Sequence, residues 1–280
     1  MPSVIRRLWE GYVPSPTAEI NWSAAPSSLR YAVVFVEAGG LVGGSAGLPG
    51  PLPLEYVEQQ RTGRGSDAMT NARWLPEGIE FWTDASGNFA QAIGVPRSET
   101  YLDGFRDEVT ISWRQYNRGD TFDRPMWNHG DGAGNGYSCR APFTTTDPQV
   151  MWDWGGHRYA SSGHGDLYSG WHSLMVSGAN GMGTAPPLAG IGWKDGTTLN
   201  LVRTITGITA RDAARPFQVG GRWTASTNPT IAWLSHWYAF DRFMDDEGLA
   251  AQLHQFPYYF FTEPVRRTIS FGSQQAWVVA

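Results

Sequence analysis

Glu108-Val-Thr-Ile-Ser-Trp-Arg114 sets Val109, Ile111 and Trp113 on one face of an extended chain and Glu108, Thr110, Ser112 and Arg114 on the other. A side-chain period of two is that of a strand with one face in a core and the other toward solvent. Working outward, further short strands are predicted at Tyr31–Val36, Ile79–Trp82, Phe89–Ile93, Pro125–Asn128, Gly136–Arg140, Val150–Trp154, Trp171–Ser177, Leu188–Trp193, Phe217–Gly220 and Thr230–Phe240. Asn, Asp and Gly clusters separate most of them, including Asn128-His-Gly-Asp-Gly-Ala-Gly-Asn-Gly136 and Lys194-Asp-Gly196. Many short strands divided by turn signals predict an all-β sandwich of two antiparallel sheets, a jelly roll.

One helix is predicted. Asp245 caps it, Asp246 and Glu247 suit the positive end of its dipole, Leu249, Leu253 and Phe256 share a face, and Pro257 stops it. Ahead of the strands, residues 1–70 carry Pro14, Pro16, Pro26, Pro51 and Pro53 and the run Glu37-Ala-Gly-Gly-Leu-Val-Gly-Gly-Ser-Ala-Gly-Leu-Pro-Gly50. Such a run suits neither a helix nor a central strand. The expected organisation is an extended N-terminal arm over 1–70, with a strand of its own for which joining the main sheet is left open, a jelly roll over 71–262 and a C-terminal tail over 263–280.

Several segments, in order, carry a resemblance. They are Gly78-Ile-Glu-Phe81, Glu108–Trp113, Gly170-Trp-His-Ser-Leu-Met-Val-Ser-Gly178, Ile191-Gly-Trp-Lys-Asp-Gly196, Phe217-Gln-Val-Gly-Gly-Arg222, Ile231-Ala-Trp-Leu-Ser-His-Trp-Tyr-Ala-Phe-Asp-Arg242 and Met244-Asp-Asp-Glu-Gly-Leu249. Together they resemble the concanavalin A-like, laminin-G-like jelly roll, of the kind found in bacteriophage virion proteins. In that family a Trp-His strand, an Asp-Gly hairpin turn, a Gly-Gly strand, a last strand ending in Asp-Arg and an acidic helix follow one another. The resemblance covers residues 74–262 and implies that Trp171, Leu174, Val176, Trp193, Val219, Trp233 and Trp237 fill the space between two sheets about 10 Å apart. The chain lacks the disulfide and the calcium-ligand set of many secreted members.

With 34 Gly, 18 Pro and 14 Trp among 280 residues, the chain is too aromatic for disorder and too rich in turn residues for a helical bundle. Its formal net charge of −5 argues against nucleic acid and against an anionic membrane surface as partners. Cys139 is the single cysteine, which excludes an intrachain disulfide and a cysteine-rich zinc site. Neither a signal-peptide h-region nor a run of about 18 apolar residues is present, so synthesis in a host cytoplasm without a signal peptide is expected.

The sequence offers no catalytic set. Glycosidases of related fold carry alternating carboxylates on one strand, because acid and nucleophile must stand about 5 to 5.5 Å apart. Asp107 and Glu108 instead face opposite sides, and Asp153 stands alone between Trp152 and Trp154. None of His129, His157, His164, His172, His236 and His254 forms a His-x-x-x-His or Glu-x-x-His helical pair. His157, His164 and Asp166 share a Gly-rich region that could meet a metal, but solvated or backbone-bonded loop histidines are the commoner outcome. Cys139 reads as a buried, inert thiol. No catalytic residue, metal or cofactor is therefore expected.

Two functions remain. The first is a non-enzymatic structural protein of a virus particle, as a tailed-phage capsid decoration or minor capsid protein, in the virion and oligomeric or particle-bound. In this reading Arg6, Arg7, Trp9, Tyr12, Arg266, Arg267 and Trp277 touch neighbouring capsid or tail subunits, and the C-terminal segment adds a strand to a partner sheet. The second is a glycan-binding lectin or tail-fibre adhesin with a rim of Trp127, Asp131, Asn135, Tyr137, Trp152, Trp154 and Tyr159, whose aromatic faces would stack on sugar. Against this rim, the same alternation also suits aromatic side chains turned into the core.

Overall fold

The chain is seen in a computed structural model that describes residues 20–22, 25–36, 40–45, 55–57, 72–75, 78–81, 92–95, 108–118, 125–129, 137–143, 149–154, 157–179, 189–205, 217–219, 232–261, 266–271 and 274–279. The strands are β1 (Leu29–Val36), β2 (Gly40–Ser45), β3 (Glu55–Val57), β4 (Ala72–Leu75), β5 (Gly78–Phe81), β6 (Ala92–Val95), β7 (Glu108–Arg118), β8 (Pro125–His129), β9 (Tyr137–Phe143), β10 (Gln149–Trp154), β11 (His157–Ser161), β12 (Ser169–Ala179), β13 (Ala189–Lys194), β14 (Thr197–Leu199), β15 (Val202–Ile205), β16 (Phe217–Val219), β17 (Ala232–Phe240), β18 (Arg266–Phe271) and β19 (Gln274–Val279). Among the described residues there is one α-helix, α1 (Glu247–Gln255), and a 3-10 turn at Gly165–Tyr168. No described helix is long and apolar enough to cross a membrane.

Nine strands form one sheet, in the order β14-β13-β12-β7-β17-β1-β2 with β5 and β4 attached through β17. Eight form the second, in the order β15-β11-β10-β9-β8-β16-β6-β3. The result is the expected all-β antiparallel sandwich with one short helix. Strand β1 lies between β17 and β2, with Val33 opposite Trp237. That part of the segment expected as an N-terminal arm therefore belongs to the sandwich. The C-terminal strands pair with each other, Thr268 opposite Trp277, as a separate two-stranded hairpin.

Where β12, β13 and β17 pack against α1 and residues 256–261 the larger sheet is buried on both faces, which period-two reading misses. Val109, Ile111, Trp113, Leu174, Val176 and Trp237 lie on the face toward the second sheet, where Gly190 of β13 meets Tyr159 of β11. Thr110 and Ser112, read from the sequence as solvent-facing, are also buried. Their face is covered by α1 and by residues 256–261, where Met175, Trp193, Tyr238, Phe240, Leu249, Leu253, Phe260 and Phe261 make one apolar cluster. Burying a side chain of this size gains about 1.5–3 kcal/mol. The cover over the sheet is thus a second core. Trp193, opposite Met175 in register, belongs to this outer core and not to the space between the sheets.

Small hydroxyls let polar positions enter that core. Thr110 Oγ1 donates to the Arg242 carbonyl at 2.7 Å and accepts from Ser177 Oγ at 2.6 Å. Ser177 Oγ in turn accepts the Met244 amide at 2.7 Å. Helix α1 is capped by Asp246, not Asp245: Asp246 Oδ1 accepts the Leu249 amide at 2.8 Å, and Leu249, Ala250 and Leu253 form its buried stripe.

Candidate functional site

Two clusters stand out, one polar and one aromatic. The polar cluster grows from the β13–β14 hairpin, whose turn needs two residues at positive φ: Asp195 at 52° and Gly196 at 78°. Asp195 tolerates this conformation because its short side chain bonds locally. Its Oδ1 accepts the Ser173 amide at 2.8 Å while its own amide donates to the Ser173 carbonyl at 2.8 Å, tying the turn to β12. Its Oδ2 stands 2.9 Å from His172 Nδ1.

The other ring nitrogen of His172 faces two acceptors, the carbonyls of Asp166 at 3.0 Å and Ser169 at 3.1 Å. With acceptors on both sides, only the doubly protonated ring satisfies every contact. Burial works against that charge, but the hydrogen bond to Asp195 and the Ser169 carbonyl outweigh it and hold the His172 pKa above its ordinary value. Lys194, the chain's single lysine, bonds the Asp166 carboxylate and lies 3.7 Å from Asp195 Oδ2. Burial pushes both carboxyls up. The Lys194 bond at Asp166 and the His172 bond at Asp195 reverse this and leave both below the usual carboxylate value.

Ligating atoms of Asp166, His172 and Asp195 lie within 4.8 Å of one another, the spacing of a metal site. The donor set does not fit one. The Lys194 ammonium already neutralises Asp166, and both ring nitrogens of His172 are taken up by acceptors, Asp195 on one side and the carbonyls of Asp166 and Ser169 on the other. Each of these side chains is bonded within the cluster. With His254 of α1 at 3.8 Å from Asp195 Oδ1, the cluster clamps the 3-10 turn, β12, the β13–β14 turn and α1 together.

The aromatic cluster lies on the outer face of the larger sheet. Register places Trp171 of β12 opposite Tyr116 of β7, and Tyr116 opposite Trp233 of β17. The Trp171 and Tyr116 rings meet edge to face, centroids 5.4 Å apart at 64°, and both are half-buried. Arg114, two residues before Tyr116 on the same face, holds its guanidinium carbon 4.7 Å from the Trp171 ring centroid. Trp171 is therefore on the outer face and not in the intersheet core implied by the resemblance.

Of the rim expected from the sequence, Asp131 and Asn135 lie outside the described residues, as do Arg6, Arg7, Trp9 and Tyr12. Tyr137 lies on β9 opposite His129, and Trp154 on β10 opposite His157. Trp127, Cys139, Trp152 and Tyr159 fall in one cross-strand row over β8, β9, β10 and β11. The two side chains described in that row, Cys139 and Tyr159, are both buried. Tyr159 is 4% exposed and belongs to the core, not to a rim. Arg266, Arg267 and Trp277 are placed by their backbone on the C-terminal hairpin. His164 bonds Ser161 Oγ at 2.9 Å and stands apart from the polar cluster, whose histidine is His172. Sequence reading missed both clusters because each depends on interstrand register. The available signals were the Asp-Gly turn for the first and the Trp-His strand for the second.

No family model matches the chain, and no curated protein matches its sequence. Solved structures do match in fold. The binding domain of botulinum neurotoxin DC in complex with SialylT superposes with a TM-score of 0.55 at 9% identity, covering 91% of this chain and 62% of that one. The same toxin domain in complex with rat synaptotagmin II gives 0.52 at 11% identity, with 90% and 62% covered. A sialidase of Trypanosoma rangeli gives 0.48 at 13% identity, with 83% and 33% covered. The chain thus spans a third of the sialidase and under two thirds of the toxin domain. At these identities the likeness is one of fold, an antiparallel β-sandwich.

Proposed function

We propose that this protein is a non-catalytic carbohydrate-binding domain. The observation that carries the reading is the half-buried pair Trp171 and Tyr116, which presents aromatic rings on an outer sheet face instead of inside a core. Aromatic rings are large rigid apolar surfaces, and a Tyr hydroxyl or Trp N–H adds a polar handle. That combination suits a sugar, with its apolar ring face and polar edge. A toxin binding domain of the same sandwich was solved with SialylT, which supports the reading by analogy of fold. The non-catalytic part rests on the polar cluster, in which His172, Asp195, Asp166 and Lys194 bind one another.

A glycan array probed with the intact protein tests this. Binding to a defined subset of saccharides that is lost in Trp171→Ala supports it, and an array without signal overturns it. The virus-particle role rests on the sequence resemblance alone and stands behind the glycan reading. Mass spectrometry of particles purified from the source decides it separately, with absence of the chain from them ending that role.

A further inference from the structure

We infer that the outer-face site takes a saccharide that carries a carboxylate, with Arg114 as its anion receptor; this rests on the carbohydrate-binding reading above. Among the described residues Arg114 has neither an ion pair with a carboxylate nor a side-chain hydrogen bond, and its guanidinium lies over the Trp171 ring. Its own cross-strand row offers Ser173 on one side and His236 on the other. Both are buried, and neither the Ser173 hydroxyl nor either His236 ring nitrogen has a hydrogen-bond partner. Two buried side chains without a hydrogen-bond partner on either side of a half-buried guanidinium are unusual, since buried polar groups in folded proteins are nearly always bonded. The chain has 26 Asp and Glu residues, yet at Arg114 no described residue supplies one.

A guanidinium presents five N–H donors in a planar fork that matches a carboxylate bidentately. Held over Trp171, this fork is pre-positioned, so less side-chain freedom is lost on binding. A sugar ring stacked beside Trp171 and Tyr116 would bring an attached carboxylate to Arg114. A neutral sugar could use the rings but would leave the guanidinium unpaired, and hydroxyl groups are weaker partners for it than a carboxylate.

The test uses the intact protein and paired oligosaccharides, one ending in a carboxylated sugar and the other in its methyl ester, with affinity measured by calorimetry. Wild type is expected to bind the acid at least about tenfold more tightly than the ester. Arg114→Gln should abolish that preference while retaining ester binding, Arg114→Lys should retain part of it, and Trp171→Ala should weaken both ligands. Thermal melts confirm that each variant is folded. Equal wild-type affinity for acid and ester overturns the role of Arg114 and leaves carbohydrate binding standing. A preference that survives in Arg114→Gln overturns it too. Failure of wild type to bind either ligand or any saccharide on the array overturns the carbohydrate reading itself.

Discussion

Gly190 leaves the space that the ring of Tyr159 fills: a Cβ built at this glycine would overlap Cγ, Cδ1 and Cε1 of the tyrosine. The two residues belong to different sheets, so the sheets are in direct contact here. Gly190→Ala is expected to destabilise the protein by about 1–3 kcal/mol, the usual cost of overpacking. Chemical denaturation measures it. The same substitution in a Tyr159→Leu background should cost less than half as much, because the shorter side chain yields; an equal cost in both backgrounds would show that the contact is not the cause.

That contact also shows what a one-dimensional reading reaches. Alternation at Val109, Ile111 and Trp113 is a local property of β7 and is visible in the chain, as are the Asp-Gly turn and the acidic start of α1. The fold class follows from such local signals. What covers the Thr110 face of the sheet is not local: α1 and the run Phe256-Pro-Tyr-Tyr-Phe-Phe261, far along the chain, pack on it in one apolar cluster, and Arg242 and Met244 bond Thr110 and Ser177. The pairing of Trp171 with Tyr116, and of Ser173 with Arg114, is fixed by register, which a single sequence does not encode locally. The candidate site was therefore hidden although each of its residues lay in a strand that could be read.

Thr110 tests the claim that the outer face around it is a core. Its hydroxyl bridges Ser177 and the Arg242 carbonyl within a fully buried site. Thr110→Val keeps the shape but strands the Ser177 hydroxyl and that carbonyl, so a loss of about 1–3 kcal/mol is expected. Thr110→Ser, which keeps the bonds, should lose less than about 1 kcal/mol. Were this face solvated, both variants would stay within about 0.5 kcal/mol of wild type in denaturant melts.

The hydrogen bond to Asp195 works to raise the His172 pKa, so that pKa should follow the carboxylate. In Asp195→Asn the side chain can still accept the Ser173 amide and still tolerates the positive φ of the turn. It no longer offers a negative charge to Nδ1. The His172 pKa, followed by NMR of the ring protons, should fall from above 6.5 in wild type to below it in the variant, because burial is then opposed by less. An unchanged titration would mean that the carbonyls of Asp166 and Ser169 alone hold the proton.

His236 controls acid stability in the opposite sense. It is fully buried, its ring stacks on Tyr238 at 4.5 Å and meets Tyr258 edge-on, and Arg114 stands opposite it in register. Burial first and the Arg114 charge second hold its pKa well below 6.5. Below about pH 6.5 the unfolded chain therefore takes up a proton at this residue that the folded chain refuses, and stability falls with pH by up to about 1.4 kcal/mol per unit. His172, whose folded pKa is raised, behaves in reverse: its contribution is complete below 6.5 and is lost only as pH rises through its folded value. The contributions of Asp166 and Asp195, with lowered pKa values, are lost only as pH falls below their ordinary value of 3.8. Among the described groups with a shifted pKa, the decline between about pH 6.5 and 4.5 belongs to His236. His236→Phe, which keeps an aromatic ring against Tyr238, should give a flat stability profile over that interval when denaturant midpoints are compared at each pH. A slope equal to that of wild type would place the acid-sensitive group elsewhere.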